Sequence, residues 1–80
     1  MPSVHLVRID PSRRMWRYYH LDVQPNLFGG FGLVREWGRI GRRGRLRHDP
    51  YLSETEATAA LQRLHAAKCR RGYRSDTVAC

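Results

Sequence analysis

Residues 37–45, Trp-Gly-Arg-Ile-Gly-Arg-Arg-Gly-Arg, hold the side chains with the clearest chemical capacity in this 80-residue chain. They combine one indole ring, three glycines and four arginines. An indole stacks on flat rings, glycine lets a backbone approach a ligand closely, and guanidinium groups match the geometry of phosphate oxygens. This combination predicts a surface that binds nucleic acid.

The charge of the whole chain agrees with that prediction. Lys and Arg number 15 against 7 Asp and Glu, a formal net charge of +8, and all but one of the 15 are arginine. Lysine would serve solubility equally well but is a poorer bidentate and stacking group. The arginine excess therefore favours a nucleic-acid partner, DNA first and RNA second, over the alternative of a solvated basic face.

The candidate nucleic-acid-binding residues all lie in or beside this segment: Arg35, Trp37, Gly38, Arg39, Arg42, Arg43, Arg45 and Arg47. Two of these assignments have a structural alternative. Trp37 could instead seal a small core, and the three glycines suit a strand end followed by a tight turn. There is a second basic group, Arg70, Arg71 and Arg74. The sequence does not predict on which side of the molecule it lies.

Other chemistry finds little support. Ser53, His65, Asp49 and Cys69 include the residue types of a nucleophilic site, but no nucleophile motif accompanies them. His65 and Cys69 alone make a poor zinc site, because zinc usually takes four ligands. We predict no enzyme activity, no cofactor and no metal. The apolar runs are too short to span a membrane, and two cysteines make no disulfide framework, which favours a monomer in a reducing cytoplasm.

Alternation of apolar and polar side chains predicts a small antiparallel sheet. Strands are expected over residues 4–9, 15–23, 31–40 and 45–48, and Tyr73 either begins a last strand or anchors the helix exit. Asp49 and Pro50 are expected to close the sheet, and Leu27 and Phe28 to fold back over the core.

The side chains of each strand divide between two faces. Tyr19, Leu21 and Val23 share one face of the second strand. Trp37 shares a face with Arg39 in the third strand, where a β-bulge near Gly38 is expected. We expect the indole to be exposed, among guanidinium groups, on the open side of the sheet.

One α-helix follows the strands. Ser53 and Glu56 form a capping box, and apolar residues recur at helical spacing through Leu61 and Leu64 until Gly72 supplies a left-handed stop. The predicted fold is therefore α+β: a curved antiparallel sheet of four to six strands with one α-helix packed across it. We expect a single domain over residues 1–74 and a flexible tail over residues 75–80.

The order of these features resembles the WGR domain family over about residues 4–73. The resemblance rests on Trp37, Gly38 and Arg39, followed by Ile40, Gly41 and Gly44, with support from residues 17–21 and the helix. It implies a nucleic-acid-binding module like that of the poly(ADP-ribose) polymerases, which engages DNA near a 5′ terminus. It also implies that Trp37 packs on a terminal sugar or base and that Arg39 contacts DNA or a neighbouring domain. The chain is most similar to short stand-alone bacterial members.

The chain also departs from the family pattern. Leu61 stands where the family helix often has an aromatic residue, and Tyr73 stands where an indole often follows the helix. No segment resembles the catalytic domain that transfers ADP-ribose. Two function classes stay open: a module for DNA ends, nicks or junctions, located at the nucleoid, and a module in which Arg39 and Glu36 bind an acidic protein partner. A metal-dependent enzyme is a third, weaker possibility.

Overall fold

The computed structural model describes residues 3–27 and 29–75 of the chain. Five strands form one antiparallel sheet in the order β4-β3-β2-β1-β5. The elements follow the chain as β1 (Ser3–Asp10), a 3₁₀ turn (Pro11–Arg13), β2 (Met15–Pro25), β3 (Phe31–Arg39), β4 (Arg45–Tyr51), α1 (Glu54–Arg70) and β5 (Arg74–Ser75). The α+β fold predicted from the sequence is confirmed.

The core lies between one face of the sheet and α1. Its strand members are the alternating residues that the sequence placed on one face, including Tyr19, Leu21 and Val23. Ala57, Ala60 and Leu61 of α1 pack against them. The small alanine side chains let the helix lie close to the sheet, which suits a chain with few large apolar residues.

The ends of α1 form as the sequence predicts. The Ser53 hydroxyl accepts a hydrogen bond from the Glu56 backbone N–H at 3.2 Å, and the Glu56 carboxylate accepts one from the Leu52 backbone N–H at 3.3 Å. The Glu56 N–H is a group that a helix start leaves without a helical partner, whereas Leu52 precedes the cap, so the Ser53 half of the expected capping box is the half that forms as predicted. Gly72 follows the helix with φ of 96°, the left-handed conformation that favours glycine.

Several local expectations are wrong. β4 continues through Asp49 and Pro50 to Tyr51, because it is an edge strand and an edge tolerates proline's missing N–H. The β2–β3 register runs unbroken through Gly38, so the expected bulge is absent from this described ladder. Leu27 is 95% exposed instead of covering the core, and Phe28 lies outside the described residues.

The C-terminal boundary differs slightly from the prediction. Ser75, assigned to the tail, pairs with Leu6 in β5, and residues 76–80 lie outside the described residues. In the described part of the chain, no helix has the length and apolar character needed to cross a membrane.

Candidate nucleic-acid interface

The arginines of β1 to β4 all lie on the face of the sheet that also carries α1. Directly paired residues share a face, and Leu21 of the core pairs with Arg35, while Tyr19 pairs with Trp37. The same parity applies to the arginines of these strands: Arg8, Arg17, Arg35, Arg39, Arg45 and Arg47. No arginine of these four described strands lies on the opposite face, which we call the open face.

Trp37 therefore lies on the helix side, and the expectation that it lies on the open side is wrong. Its position has the same parity as that of buried Leu33, and it pairs with Tyr19 of the core. The indole stacks on the Tyr19 ring with centroids 5.6 Å apart and planes 13° apart. It is partly buried against the core and keeps an exposed part.

Part of the Trp37 indole stays exposed beside the end of α1, which does not cover the whole face. A cleft of about 550 Å³ opens beside the last turns of the helix, where β2 begins and β3 ends. Its lining comes from three parts of the chain: residues 14–19, residues 37–39, and Lys68 and Tyr73. Four of these residues are cationic, namely Arg14, Arg17, Arg39 and Lys68, and none of the described lining residues is acidic.

Tyr19 and Tyr73 form an aromatic wall of this cleft. The two rings meet edge to face, with centroids 6.4 Å apart and planes 82° apart. The Nζ atom of Lys68 lies 4.4 Å from the Tyr19 centroid and 5.5 Å from the Tyr73 centroid. Partial removal from water lowers the pKa of Lys68, and repulsion by Arg71 and Arg35 lowers it further. The tyrosine faces act in the opposite direction, because they attract the ammonium.

Arg35 and Arg47, two of the predicted phosphate ligands, bind a carboxylate of the protein itself. Nη2 of Arg35 lies 2.8 Å from Oδ2 of Asp49, and Nε of Arg47 donates to Oδ1 of Asp49 at 2.9 Å. The Arg35 side chain is only 15% exposed, and its buried Nε has no hydrogen-bond partner among the described residues. With Arg63 and Leu64 they line a separate hollow under the helix rather than the cleft of Trp37.

The glycines of the segment let two strands approach closely. A Cβ on Gly38 would lie 2.7 Å from the Gly44 Cα, and a Cβ on Gly44 would collide with the Trp37 carbonyl oxygen and the Tyr18 hydroxyl. Gly41 has φ of 86°, as the tight turn requires. The structural role expected for these glycines, a close strand approach and a tight turn, is thus present, and Gly38 also lines the cleft.

Three other predicted arginines project from the same hairpin. Arg42 and Arg43 are exposed in the β3–β4 turn, and exposed Arg45 pairs with Trp37 on the helix-side face. Arg45 adjoins the cleft through its pairing with Trp37, whereas Arg42 and Arg43 are not among the lining residues of the cleft. Arg74 pairs with Val7, so it lies on the open face.

Three of the cleft cations were not predicted as binding residues from the sequence. Arg17 could have been predicted as a cleft residue, since it lies on the same face of the second strand as Tyr19. Lys68 had a signal too, because it interrupts the apolar stripe of α1 with a cation. Arg14 had none: it lies in a left-handed conformation with φ of 55° after the 3₁₀ turn, and no periodic pattern places it.

The open face has a different character. His5 stacks on Tyr18, and its Nδ1 lies 3.3 Å from Nδ1 of His20 on the neighbouring strand. Leu46, paired with Glu36, is 69% exposed. Glu36 and Arg39 consequently point to opposite sides of the sheet, so one flat partner surface cannot contact both.

The described residues give little support for a metal site. Within residues 3–27 and 29–75, no group of three or more His, Cys, Asp or Glu side chains is placed to hold a metal ion. Cys69 is disulfide-bonded, so the thiol that the sequence offered beside His65 is not available as a ligand.

Comparison with known proteins gives a family and one curated relative. The family model described as WGR domain matches residues 3–79. An uncharacterized protein of Sinorhizobium fredii, y4dW, is 42% identical over 71 residues, which is 89% of this chain. The chain covers 35% of that relative's length. No solved structure matches the chain.

Proposed function

The chain belongs to the WGR domain family, and we propose that it is a non-catalytic nucleic-acid-binding module for DNA ends, nicks or junctions. One observation carries this proposal: cations from three separate parts of the chain meet around a partly exposed indole in one cleft whose described lining residues include no acid. An uncompensated cluster of this kind attracts a polyanion, whereas the paired arginines at Asp49 do not.

Arginine contacts to phosphates would supply most of the affinity. Arg14, Arg17 and Arg39 are assigned to the inner contacts, since they line the cleft. The exposed Arg42, Arg43 and Arg45 are assigned to flanking phosphates along the hairpin. Such contacts position the strand but read little sequence, so weak sequence preference is expected. Arg35 and Arg47 are assigned to the Asp49 ion pairs and act on binding only through the fold.

Trp37 would supply the preference for a terminus. Within an intact duplex each base pair is stacked on both sides, so no flat surface is free for another ring. An end, a nick or an unpaired nucleotide presents a free base or sugar, which can pack on the uncovered part of the indole. Tyr19 holds the indole in place by stacking, so little of the ring's freedom is lost on binding.

Binding to open and closed DNA tests this role. Trp37→Leu removes the ring but keeps apolar bulk at the core edge, and Trp37→Phe keeps a stacking ring. We expect Trp37→Leu to lose roughly 1–3 kcal/mol on a nicked or blunt duplex and much less on a covalently closed circle of the same sequence. Trp37→Phe should lose less than Trp37→Leu.

Leu46→Ala is the matched control, because it removes an exposed apolar side chain from the open face. It should leave binding to both DNA forms unchanged. Equal losses for Trp37→Leu on open and closed DNA, or no loss on either, would contradict the assignment of Trp37 to a terminus.

The open face gives a specific reason to keep a second candidate function. It carries exposed Ile9 and Leu46 together with Glu36 and Asp22, and it has no arginine from β1 to β4 among the described residues. This composition suits a protein surface better than a phosphate backbone. A partner that stays bound to the purified chain after nuclease treatment, and is released by Leu46→Glu, would support it.

A further inference from the structure

We propose that Lys68 captures an aldehyde-bearing sugar at a nucleic-acid end or gap, such as an opened abasic deoxyribose, as a reversible imine. The inference rests on the proposed function, because the cleft must first bind the damaged strand. It assigns to this cleft a class of ligand that phosphate contacts and stacking alone would not select.

Lys68 differs chemically from the arginine side chains that supply the rest of the basic residues. It is the single lysine among the 15 Lys and Arg residues. A guanidinium keeps its proton throughout the accessible pH range, whereas an amine that loses its proton becomes a nucleophile toward carbonyl carbon. Phosphate binding would be served as well or better by arginine, so it does not explain why the cleft contains a lysine.

The position of the amine suits this chemistry. Its Nζ lies over the faces of Tyr19 and Tyr73 at the cleft wall, and the side chain is partly buried. No described acidic residue lines the cleft, so no local carboxylate favours the ammonium. Desolvation, Arg71 and Arg35 lower the pKa of the amine, against the attraction of the ammonium to the two tyrosine faces. Desolvation and a neighbouring cation are conditions that activate catalytic lysines in other proteins.

An abasic nucleotide fits the remaining features of the cleft. Its sugar has no base, so the open-chain C1′ aldehyde is accessible, while its neighbours keep phosphates for Arg14, Arg17 and Arg39. Trp37 would pack on the adjoining nucleotide. The arginines thereby place the aldehyde near one amine, which raises the local concentration of the two reacting groups.

The step balances without any co-reactant. The lone pair of neutral Nζ attacks C1′, the carbonyl π electrons move to oxygen, and a proton moves from nitrogen to that oxygen to give a carbinolamine. Loss of the hydroxyl group and the remaining N–H proton as water forms the C=N bond. Water reverses the reaction, so the product is a capture complex, and strand cleavage is not part of the proposal.

Reduction with borohydride makes the capture visible. The purified full chain is mixed with a labelled duplex that holds one abasic site beside a nick, and sodium borohydride converts any imine into a stable amine. We expect a covalent protein–DNA adduct that peptide mapping by mass spectrometry assigns to Lys68. Adduct yield should rise from pH 6.5 to pH 8.5, because the neutral amine is the reactive form.

Lys68→Arg is the matched variant, since it keeps the charge but offers no imine-forming amine. Its adduct yield, expressed per bound duplex, should fall by at least about tenfold. Undiminished adduct in Lys68→Arg, or an adduct mapped to the amino-terminal amine, would overturn the proposal.

Binding to the reduced abasic duplex separates the two proposals. This ligand has no aldehyde, so its affinity reports the cleft alone. Tight binding of the reduced duplex without any adduct on the unreduced one would overturn imine capture and leave the proposed function in place. Loss of binding to both would overturn the proposed function, and imine capture with it.

Discussion

Arg39→Gln should weaken DNA binding, whereas Arg74→Gln should not. Both changes remove one positive charge from an exposed arginine near a strand end. Arg39 lines the cleft on the helix side, and Arg74 pairs with Val7 on the open face. Total charge is the same in both variants, so a difference between them reports the position of the charge rather than the net charge.

The expected size follows from one phosphate contact. An exposed charge-assisted contact of about 1 kcal/mol corresponds to about a fivefold loss of affinity at 50 mM salt. One contact also contributes about 0.9 to the magnitude of the slope of log K against log salt. A fourfold rise in salt therefore reduces the factor in affinity that this contact supplies by about 3.5-fold. At 200 mM salt the loss for Arg39→Gln should be about 1.5-fold.

Fluorescence polarisation of a labelled blunt duplex at 50 and 200 mM KCl measures both quantities. Denaturation midpoints of the two variants show that each is folded. Both variants should be folded, since neither arginine takes part in an ion pair among the described residues. Equal losses for Arg39→Gln and Arg74→Gln would refute the idea that phosphate binding is confined to the helix side. A salt-independent loss for Arg39→Gln would refute its contact with phosphate.

Three further predictions concern the fold and the electrostatics. Asp49→Asn should lower the free energy of unfolding by about 1–3 kcal/mol in chemical denaturation, because Arg35 loses its counter-charge while largely buried. Exposed Arg47→Gln should lower it by less than about 1 kcal/mol, and equal losses for the two variants would contradict this explanation. Gly44→Ala should cost about 1–3 kcal/mol through collision with Trp37 and Tyr18, more than Gly41→Asn, whose Cβ position is open. Four to six phosphate contacts predict a slope of log K against log salt of about −4 to −5 for the unmodified chain, and a flat dependence in the same titration would exclude the electrostatic model.

Much of the fold follows from local patterns in the sequence. Period-two alternation identifies the buried side of β2 through Tyr19, Leu21 and Val23, since that side is strictly apolar or aromatic. The capping box at Ser53 and the glycine at position 72 mark the two ends of α1. These features depend on neighbours within a few residues, so no tertiary information is needed to find them.

The position of Trp37 depended on information that the sequence does not hold. Alternation shows that Trp37 shares a face with Leu33 and Arg35, but this face mixes core residues with arginines. The β2–β3 register pairs Trp37 with Tyr19 across a connection of several residues. This pairing decides that Trp37 lies on the face that the helix covers. The position of α1 was therefore not predictable from the strand itself.

Two other features also depend on contacts between residues that are far apart in the sequence. Arg35 reads as a free cation in the sequence, and only the β3–β4 pairing brings Asp49 within 2.8 Å of it. Lys68 reads as a helix-end cation that complements the dipole, and only the packing of α1 on β2 places it over Tyr19. Charge in a sequence thus shows how many cations exist, while pairing in the structure decides which of them can bind a ligand.

We propose that nucleic acid binds at the cleft on the helix side of the sheet. A titration of isotope-labelled protein with a short blunt duplex, followed by ¹H–¹⁵N correlation spectra, tests it most directly. We predict that the Trp37 indole N–H and the amides of Gly38, Arg39 and Lys68 shift most, while those of His5, His20 and Leu46 stay in place. Largest shifts on the open face, with an unmoved Trp37 indole, would contradict the account.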